Sequence, residues 1–176
     1  MMDIKWKLAG RFKFEAFKID KQGAEIAGSR RVVADWFDNL ITDNGLDLFG
    51  NSSAYLQYCQ VGSGSTTPAN GDTALVSRIA GTSAKHATTT GAQASAPYFA
   101  WIENTYRFEE GVAAGNLAEV GVGAASTANL FSRALILDNM GSPTTITVLS
   151  DETLDVTYQF RVYAPTADWT GTVTLD

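Results

Sequence analysis

A stretch rich in glycine and hydroxyl groups, CQVGSGSTTPANGDTAL at residues 59–75, contains the residue types of phosphate-binding loops. In such loops backbone amides cradle the phosphate, a following lysine neutralises its charge and a hydroxyl holds magnesium. Here no lysine follows Gly62 and Gly64, and the third glycine of a dinucleotide fingerprint would fall at Thr67. Pro68 also removes an amide donor. We therefore interpret the stretch as a turn that leaves a buried strand, not as a nucleotide site.

Few other residues could support acid–base or metal chemistry. His86 is the single histidine and lies in an Ala/Thr/Gly-rich tract, where we expect it to be solvated. The single cysteine, Cys59, excludes an internal disulfide and is predicted to be buried. The acids Glu109 and Glu110, and those of SDETLD at residues 150–155, are interpreted as turn residues and not as a catalytic pair. The sequence predicts no enzyme, no cofactor and no metal site.

Length and charge narrow the class of protein. The chain has 176 residues, of which 45% are hydrophobic and 18% charged, and this favours a single domain over residues 1–176. A formal net charge of -6 disfavours nucleic acid as a partner. The basic residues near the N-terminus form either a solvated strand face or a patch that docks on an acidic partner; they are Lys5, Lys7, Arg11, Lys13 and Lys18.

No stretch predicts a signal peptide or a membrane span. We expect the protein to fold in a reducing cytoplasm.

Aromatic residues offer the main alternative to a purely structural function. The four tryptophans, Trp6, Trp36, Trp101 and Trp169, would serve either a core or subunit interface, or carbohydrate binding through exposed rings. Tyr98 and Trp101 follow an exposed tract at residues 82–97 that also contains His86. These three residues are the candidate interaction surface.

The first half of the chain shows strand patterns and one helix pattern. Residues 1–34 predict N-terminal strands, a possible attachment or subunit-interface segment, with a bulge or bend where the apolar alternation changes parity between Phe14 and Phe17. NLITDNGLDLFG predicts a short helix that Thr42 or Asp43 caps, that Gly50 ends, and in which Leu46 and Phe49 share a face.

The second half predicts mostly strands. YLQYCQV is a buried strand, DTALVSRIAG a helical turn between Asp72 and Gly81, and residues 82–97 an exposed loop, mobile or used for interaction. Five strands follow, and two of them are expected to form a hairpin through residues 150–152. TGTVTL closes the chain as a short strand. The fold class is all-β, an antiparallel sandwich or jelly-roll-like fold with a few short helices. The predicted strands are YFAWIENTYRFE, AEVGV, LFSRALILD, TTITVLS and TLDVTYQFRVY.

Several phrases in one order resemble the tail-fibre and tail-associated proteins of tailed bacteriophages. VGSGSTTPANGDTAL resembles their Val-Gly-x-Gly-x-Thr-x-Pro and Asp-Thr-Ala-Leu stretch, and NLITDNGLDLFG the element that precedes it. NLAEVGVG with LFSRALI resembles their Glu-Val-Gly and Leu-x-x-Arg-Ala pair, and SPTTITVLSDETLDVTYQFRVY and TGTVTL their closing strands. The resemblance covers roughly residues 35–176.

The resemblance implies a β-rich virion component that works as a homo-oligomer, with structural residues and no catalytic ones. Its expected partners are copies of itself and other phage proteins, and its expected location is the virion tail after assembly in the host cytoplasm. The alternatives are a receptor- or glycan-binding adsorption module, with a host surface receptor or glycan as partner, and a head decoration protein.

Overall fold

Twelve strands and one helix make up the part of the protein that the computed structural model describes, residues 7–164. The helix is α1 (Asp43–Asn51). The strands are β1 (Lys7–Phe17), β2 (Arg31–Asp38), β3 (Leu40–Ile41), β4 (Tyr58–Gly62), β5 (Arg78–Thr82), β6 (Lys85–Gln93), β7 (Phe99–Phe108), β8 (Gly115–Leu117), β9 (Glu119–Gly123), β10 (Leu130–Leu135), β11 (Ile146–Val148) and β12 (Thr153–Tyr163). The all-β prediction is confirmed, with a single helix in this range. Trp6, Trp169 and the strand predicted at residues 170–175 lie outside the described residues.

Two five-stranded antiparallel sheets enclose the core, in the orders β2-β1-β12-β7-β6 and β3-β10-β9-β4-β5, and β11 pairs with β8 in a small third sheet. Phe12 and Tyr158 from the first sheet belong to one buried cluster with Val61, Val120 and Phe131 from the second. Both large sheets therefore contribute to the same core, as in the predicted sandwich.

Strand β12, in which apolar and polar side chains alternate, lies at the centre of the first sheet, between β1 and β7. Leu154 and Tyr158 point into the core and are fully buried. The opposite polar face is buried as well, since neighbouring side chains lie over it. Asp155 accepts two hydrogen bonds of 2.8 Å from Arg107, and only 4% of its side chain is exposed.

The bulge or bend predicted between Phe14 and Phe17 does not lie in β1 itself, but the pairing of β1 with β2 is irregular. Their pairing shifts register between Phe12 and Phe14 and again between Phe14 and Glu15. The additional residues lie in β2, because Phe14 faces Ala34 while Glu15 faces Val32. β1 itself pairs with β12 without interruption.

Helix α1 follows the predicted local signals at its start but not at its end. Thr42 is the N-cap, and its hydroxyl accepts a hydrogen bond from the amide of Gly45. The prediction that Gly50 ends the helix is wrong, because α1 continues to Asn51. Leu46 and Phe49 do share a face, which lines an open apolar groove of about 590 Å³ with Leu8, Ile41 and Val162.

Two segments form strands where the sequence predicted otherwise. The helical turn expected in DTALVSRIAG is wrong, because Arg78–Thr82 form β5, paired with β4. Asp72 does not cap a helix but accepts a hydrogen bond from the amide of Ala69.

The tract 82–97 is exposed as predicted but is not a loop throughout, since Lys85–Gln93 form β6. Exposure on both faces leaves β6 without apolar alternation, so pattern alone did not reveal it.

The hairpin expected through residues 150–152 is also wrong. β11 pairs with β8, while β12 pairs with β1 and β7. The turn is nevertheless closed locally, because the carboxylate of Glu152 accepts a 2.8 Å hydrogen bond from the amide of Leu149. Adjacency along the chain predicted the turn correctly but not the strand partners.

Candidate functional site

Three of the phrases that carry the family resemblance, at residues 61–75, 116–123 and 130–136, meet in one buried ionic network. Arg133 of β10 donates from Nε and Nη2 to Oε2 of Glu119 in β9, at 3.0 and 2.9 Å. Its Nη1 donates to Oδ2 of Asp72 at 2.6 Å. The side chains of Arg133 and Glu119 are both 0% exposed. A charged pair so deep in a protein persists only when further hydrogen bonds satisfy it.

Glu119 makes those further bonds, because its carboxylate accepts hydrogen bonds from backbone amides of the loop after β4. Its Oε1 accepts from Gly64 at 3.1 Å and from Ser77 at 2.7 Å, and its Oε2 accepts from Val76 at 3.1 Å. Arg133 also donates to the carbonyl of Thr66 at 2.8 Å. The amide of Gly64 in the glycine-rich stretch, and those of Val76 and Ser77 just after it, therefore bind the protein's own carboxylate.

Two glycines allow the loop to approach Glu119 this closely. A Cβ atom on Gly64 would lie 2.5 Å from Oε1 of Glu119, and one on Gly62 would lie 2.7 Å from the same oxygen. Both distances are far shorter than side-chain contacts in proteins. Gly62 and Gly64 thus serve close packing against a carboxylate.

Asp72 completes the network at its more accessible side. Burial alone would raise the pKa of its carboxyl, but the amide of Ala69 and the guanidinium of Arg133 outweigh this effect and hold the pKa below its ordinary value. Asp72 is therefore ionised at neutral pH and anchors residues 69–72 to β10.

The helix motif contacts the same region through β10. The hydroxyl of Thr42 donates to the carbonyl of Leu130 at 2.8 Å, and the side-chain amide of Asn44 donates to it at 2.9 Å. Gly45 lies directly against the carbonyl of Phe131, where a Cβ atom would clash. The four motifs thus build one packed unit at β4, β9, β10 and α1, which sequence analysis did not predict as a cluster.

The acids of SDETLD are engaged in separate ion pairs, whereas Glu109 and Glu110 are exposed directly after β7. Glu152 binds Arg31 at 2.9 Å, Asp155 binds Arg107 at 2.8 Å, and Asp151 binds Lys18 at 2.6 Å. Each carboxylate of SDETLD has its own cation, so the segment fastens the turn before β12 to its surroundings.

The predicted interaction residues are divided between two ends of the β6–β7 pair. Trp101 lies opposite Gly91, on the outward face of the first sheet, and a Cβ atom on Gly91 would be 2.5 Å from its ring. Tyr98 precedes β7 close by and is 50% exposed. His86 lies at the other end of β6, where the register shifts between Lys85 and Ala87. His86 is therefore distant along the β6–β7 pair from Trp101 and from Tyr98, which lie three residues apart in the chain.

The outward face around Trp101 combines aromatic rings with cations. Rings of Phe99 and Tyr163 lie 5.1 Å apart, and the guanidinium of Arg161 lies 4.7 Å from the Phe99 ring. Further along, Arg11 lies 4.2 Å from the ring of Trp36. Such pairs stabilise the face and give it a positive, aromatic character.

The basic residues of β1 share this outward face. Lys7, Arg11 and Lys13 alternate with the buried Phe12 and Phe14, so they point away from the core. Lys13 pairs with Glu15 at 3.3 Å. Lys18 lies beyond β1 in its pair with Asp151, and Lys5 lies outside the described residues.

No family model, curated protein or solved structure matches this chain.

Within residues 7–164, no helix has the length and apolar character needed to span a membrane. The same residues contain no group of three or more potential metal ligands.

Proposed function

We propose that the chain is a non-enzymatic structural subunit of a tailed-bacteriophage virion, tail-associated at the tip, a fibre or the collar, and assembled as a homo-oligomer. One observation carries the proposal: each residue of the buried Arg133–Glu119–Asp72 network belongs to a phrase by which the sequence resembles tail proteins. A motif whose residues meet in one buried cluster has a structural use.

The geometry of the network supports a structural reading over a chemical one. Arg133 and Glu119 have no exposed side-chain surface, so neither can meet a substrate without local unfolding. Their hydrogen bonds go to the loop between β4 and β5, and they fix its path. A virion subunit needs loops of fixed shape where it meets its neighbours, since assembly depends on complementary surfaces.

Two measurements test the proposal. Sedimentation of the purified chain is expected to give a mass that is a multiple of the subunit mass. Labelling of intact particles with antibodies against the chain is expected to mark the tail. Marking of the head would indicate the decoration alternative, and absence of the chain from particles would overturn the proposal.

The aromatic face around Trp101 supports the second candidate function, a receptor- or glycan-binding adsorption module. Rings on an exposed sheet face can stack on sugars. The Trp101→Ala variant is then expected to lose binding to host cell-wall glycan while its circular dichroism spectrum stays unchanged. Trp36→Ala, on β2 at the far side of the same sheet, is the matched control. Equal binding by the Trp101→Ala variant and the unaltered chain would count against this function.

A further inference from the structure

Strand β6 is a long open edge of the first sheet. It has nine residues and pairs with β7 on one side only; no other strand within residues 7–164 pairs with it. Residues 85–90 are all exposed, so neither face of this part of the strand is covered. From Ala87 to Gln93 the strand has no charge and no proline. Open edges of this kind are templates for pairing with another strand.

The hydrogen-bond pattern identifies the free backbone groups. The amide of Ala164 bonds the carbonyl of Tyr98 on the β12 side, and the amide of Arg107 bonds the carbonyl of Ala84 on the β6 side. In an antiparallel strand, the backbone N–H and C=O groups of successive residues point to opposite neighbouring strands. The backbone groups of odd-numbered β7 residues therefore point toward β6. Gly91, opposite Trp101, therefore bonds inward, while Thr88, Thr90 and Ala92 direct their N–H and C=O groups outward.

The other edges of the two large sheets carry features that discourage pairing. β2, the opposite edge of the same sheet, has two register shifts and contains Arg31, Asp35 and Asp38. β3 has only two residues. At β5, the side chain of Arg78 donates to the carbonyl of Ser126. Bulges, charges and short length are the usual protections of an edge, and β6 lacks them from Ala87 onward.

We propose that β6 pairs with β6 of a second copy of this chain, antiparallel about a two-fold axis at Thr90. A two-fold contact joins identical surfaces, and this strand is self-complementary: Thr90 would face Thr90 of the copy, and Thr88 would face Ala92. Threonine pairs across strands are favourable. The two Lys85 residues would be separated by ten positions, roughly 33 Å, so their charges would not oppose the contact. The inference rests on the proposed function, which includes assembly as a homo-oligomer, and it specifies the contact between two copies.

Substitutions at Thr90 test the backbone pairing. Thr90→Pro removes an outward N–H without breaking a bond to β7, because proline is tolerated where the amide of an edge strand faces solvent. Thr90→Val keeps the N–H and is the matched control. In sedimentation we expect Thr90→Pro to lose the β6-mediated association and Thr90→Val to keep it. Circular dichroism and the melting temperature verify that both variants fold.

Cross-linking tests the two-fold position. Because the only native cysteine, Cys59, is buried, Thr90→Cys supplies an accessible thiol. A short bis-maleimide reagent is expected to join two copies of Thr90→Cys into a covalent dimer. Val32→Cys, an exposed position on the β2 edge, is the control and is expected to remain uncross-linked.

The outcomes separate this inference from the proposed function. If the folded Thr90→Pro variant has the same mass as the unaltered oligomer, or Thr90→Cys does not cross-link within it, the β6 contact is wrong and the proposed function stands. If the unaltered chain is monomeric at every concentration, the β6 contact is overturned as well. Labelling of particles still tests the virion function independently.

Discussion

At the scale of single residues, the Arg133–Glu119 pair is held by many hydrogen bonds. Both side chains are fully buried, and Glu119 accepts hydrogen bonds from three loop amides as well as from Arg133. A buried ion pair adds no more to folding stability than a well-packed hydrophobic pair often would. Removing one partner, however, leaves an uncompensated charge in the core. The network therefore makes the loop path depend on both residues.

Replacing Arg133 by methionine is expected to lower the free energy of unfolding by about 3–5 kcal/mol, because Glu119 would remain buried without its cation. Urea unfolding at neutral pH measures the change. Arg78→Met is the control, since Arg78 is exposed and is expected to cost no more than about 1 kcal/mol. Similar losses in the two variants would show that the buried charge is not the cause.

Gly64 and Gly71 provide a matched pair for the close approach of the loop. A Cβ atom at Gly64 would meet Glu119 at 2.5 Å and Val76 at 2.8 Å, whereas one at Gly71 would meet nothing within 4 Å. Gly64→Ala is expected to cost about 1–3 kcal/mol through overpacking. Gly71→Ala is expected to be neutral or slightly stabilising, because alanine restricts the unfolded chain. Thermal unfolding of both variants decides the point, and an unaffected Gly64→Ala would contradict the packing argument.

At the scale of elements, sequence predicted those whose signals are local. Thr42 begins α1 through a cap that lies within three residues of it, and β12 follows from its own alternation. β6 was not predicted, because a strand exposed on both faces has no apolar period. The pairing of β11 with β8 depends on contacts across about thirty residues, between Ile146 and Leu117, which no local pattern encodes.

The turn before β12 is expected to weaken in acid through Glu152. Burial would raise the pKa of this carboxyl, but Arg31 and the amide of Leu149 outweigh the effect and lower it. A lowered folded pKa gives stability that is present above the ordinary value of about 4.3 and is lost as the pH falls through the folded pKa. The difference in unfolding free energy between the unaltered chain and Glu152→Gln is expected to be fully present at pH 7 and to shrink as the pH falls below about 4.3.

Urea unfolding over a series of pH values measures this difference. Glu110→Gln, at an exposed position before β8, is the control and is expected to change the unfolding free energy at neutral pH only slightly. A Glu152→Gln difference that does not change with pH would mean that the carboxylate contributes nothing through its charge.

At the scale of the whole molecule, the network could not be read from the sequence because its members meet only in the fold. Asp72 and Arg133 are 61 positions apart, and the network requires β9, β10 and the loop after β4 to come together. The motif residues could be identified from the sequence. A phosphate site could also be excluded from the sequence, because the lysine and the third glycine that such sites require are absent. That Glu119 takes the place of an anion depends on the tertiary structure.

The shared core predicts that the two large sheets unfold together. Phe12 and Tyr158 of the first sheet pack in one cluster with Val61 and Phe131 of the second, so separating the sheets would expose both. Cys59 in β4 reports on the second sheet, because it is fully buried and burial raises the pKa of its thiol, which keeps it unreactive in the folded state. Trp36 and Trp101, within the described residues, report on the first.

The free energy of opening from the labelling rate of Cys59 is therefore expected to equal the free energy of unfolding from tryptophan fluorescence, at each urea concentration. A smaller value for Cys59 would mean that the second sheet opens alone, since local opening exposes a group at lower free energy than global unfolding. The network that fixes the loop after β4 belongs to the second sheet, while the open edge β6 belongs to the first. Under the proposed function, both surfaces keep one shape only if the two sheets form a single cooperative unit. Equal values of the two free energies would mean that the loop after β4 and the β6 edge are lost in the same unfolding step.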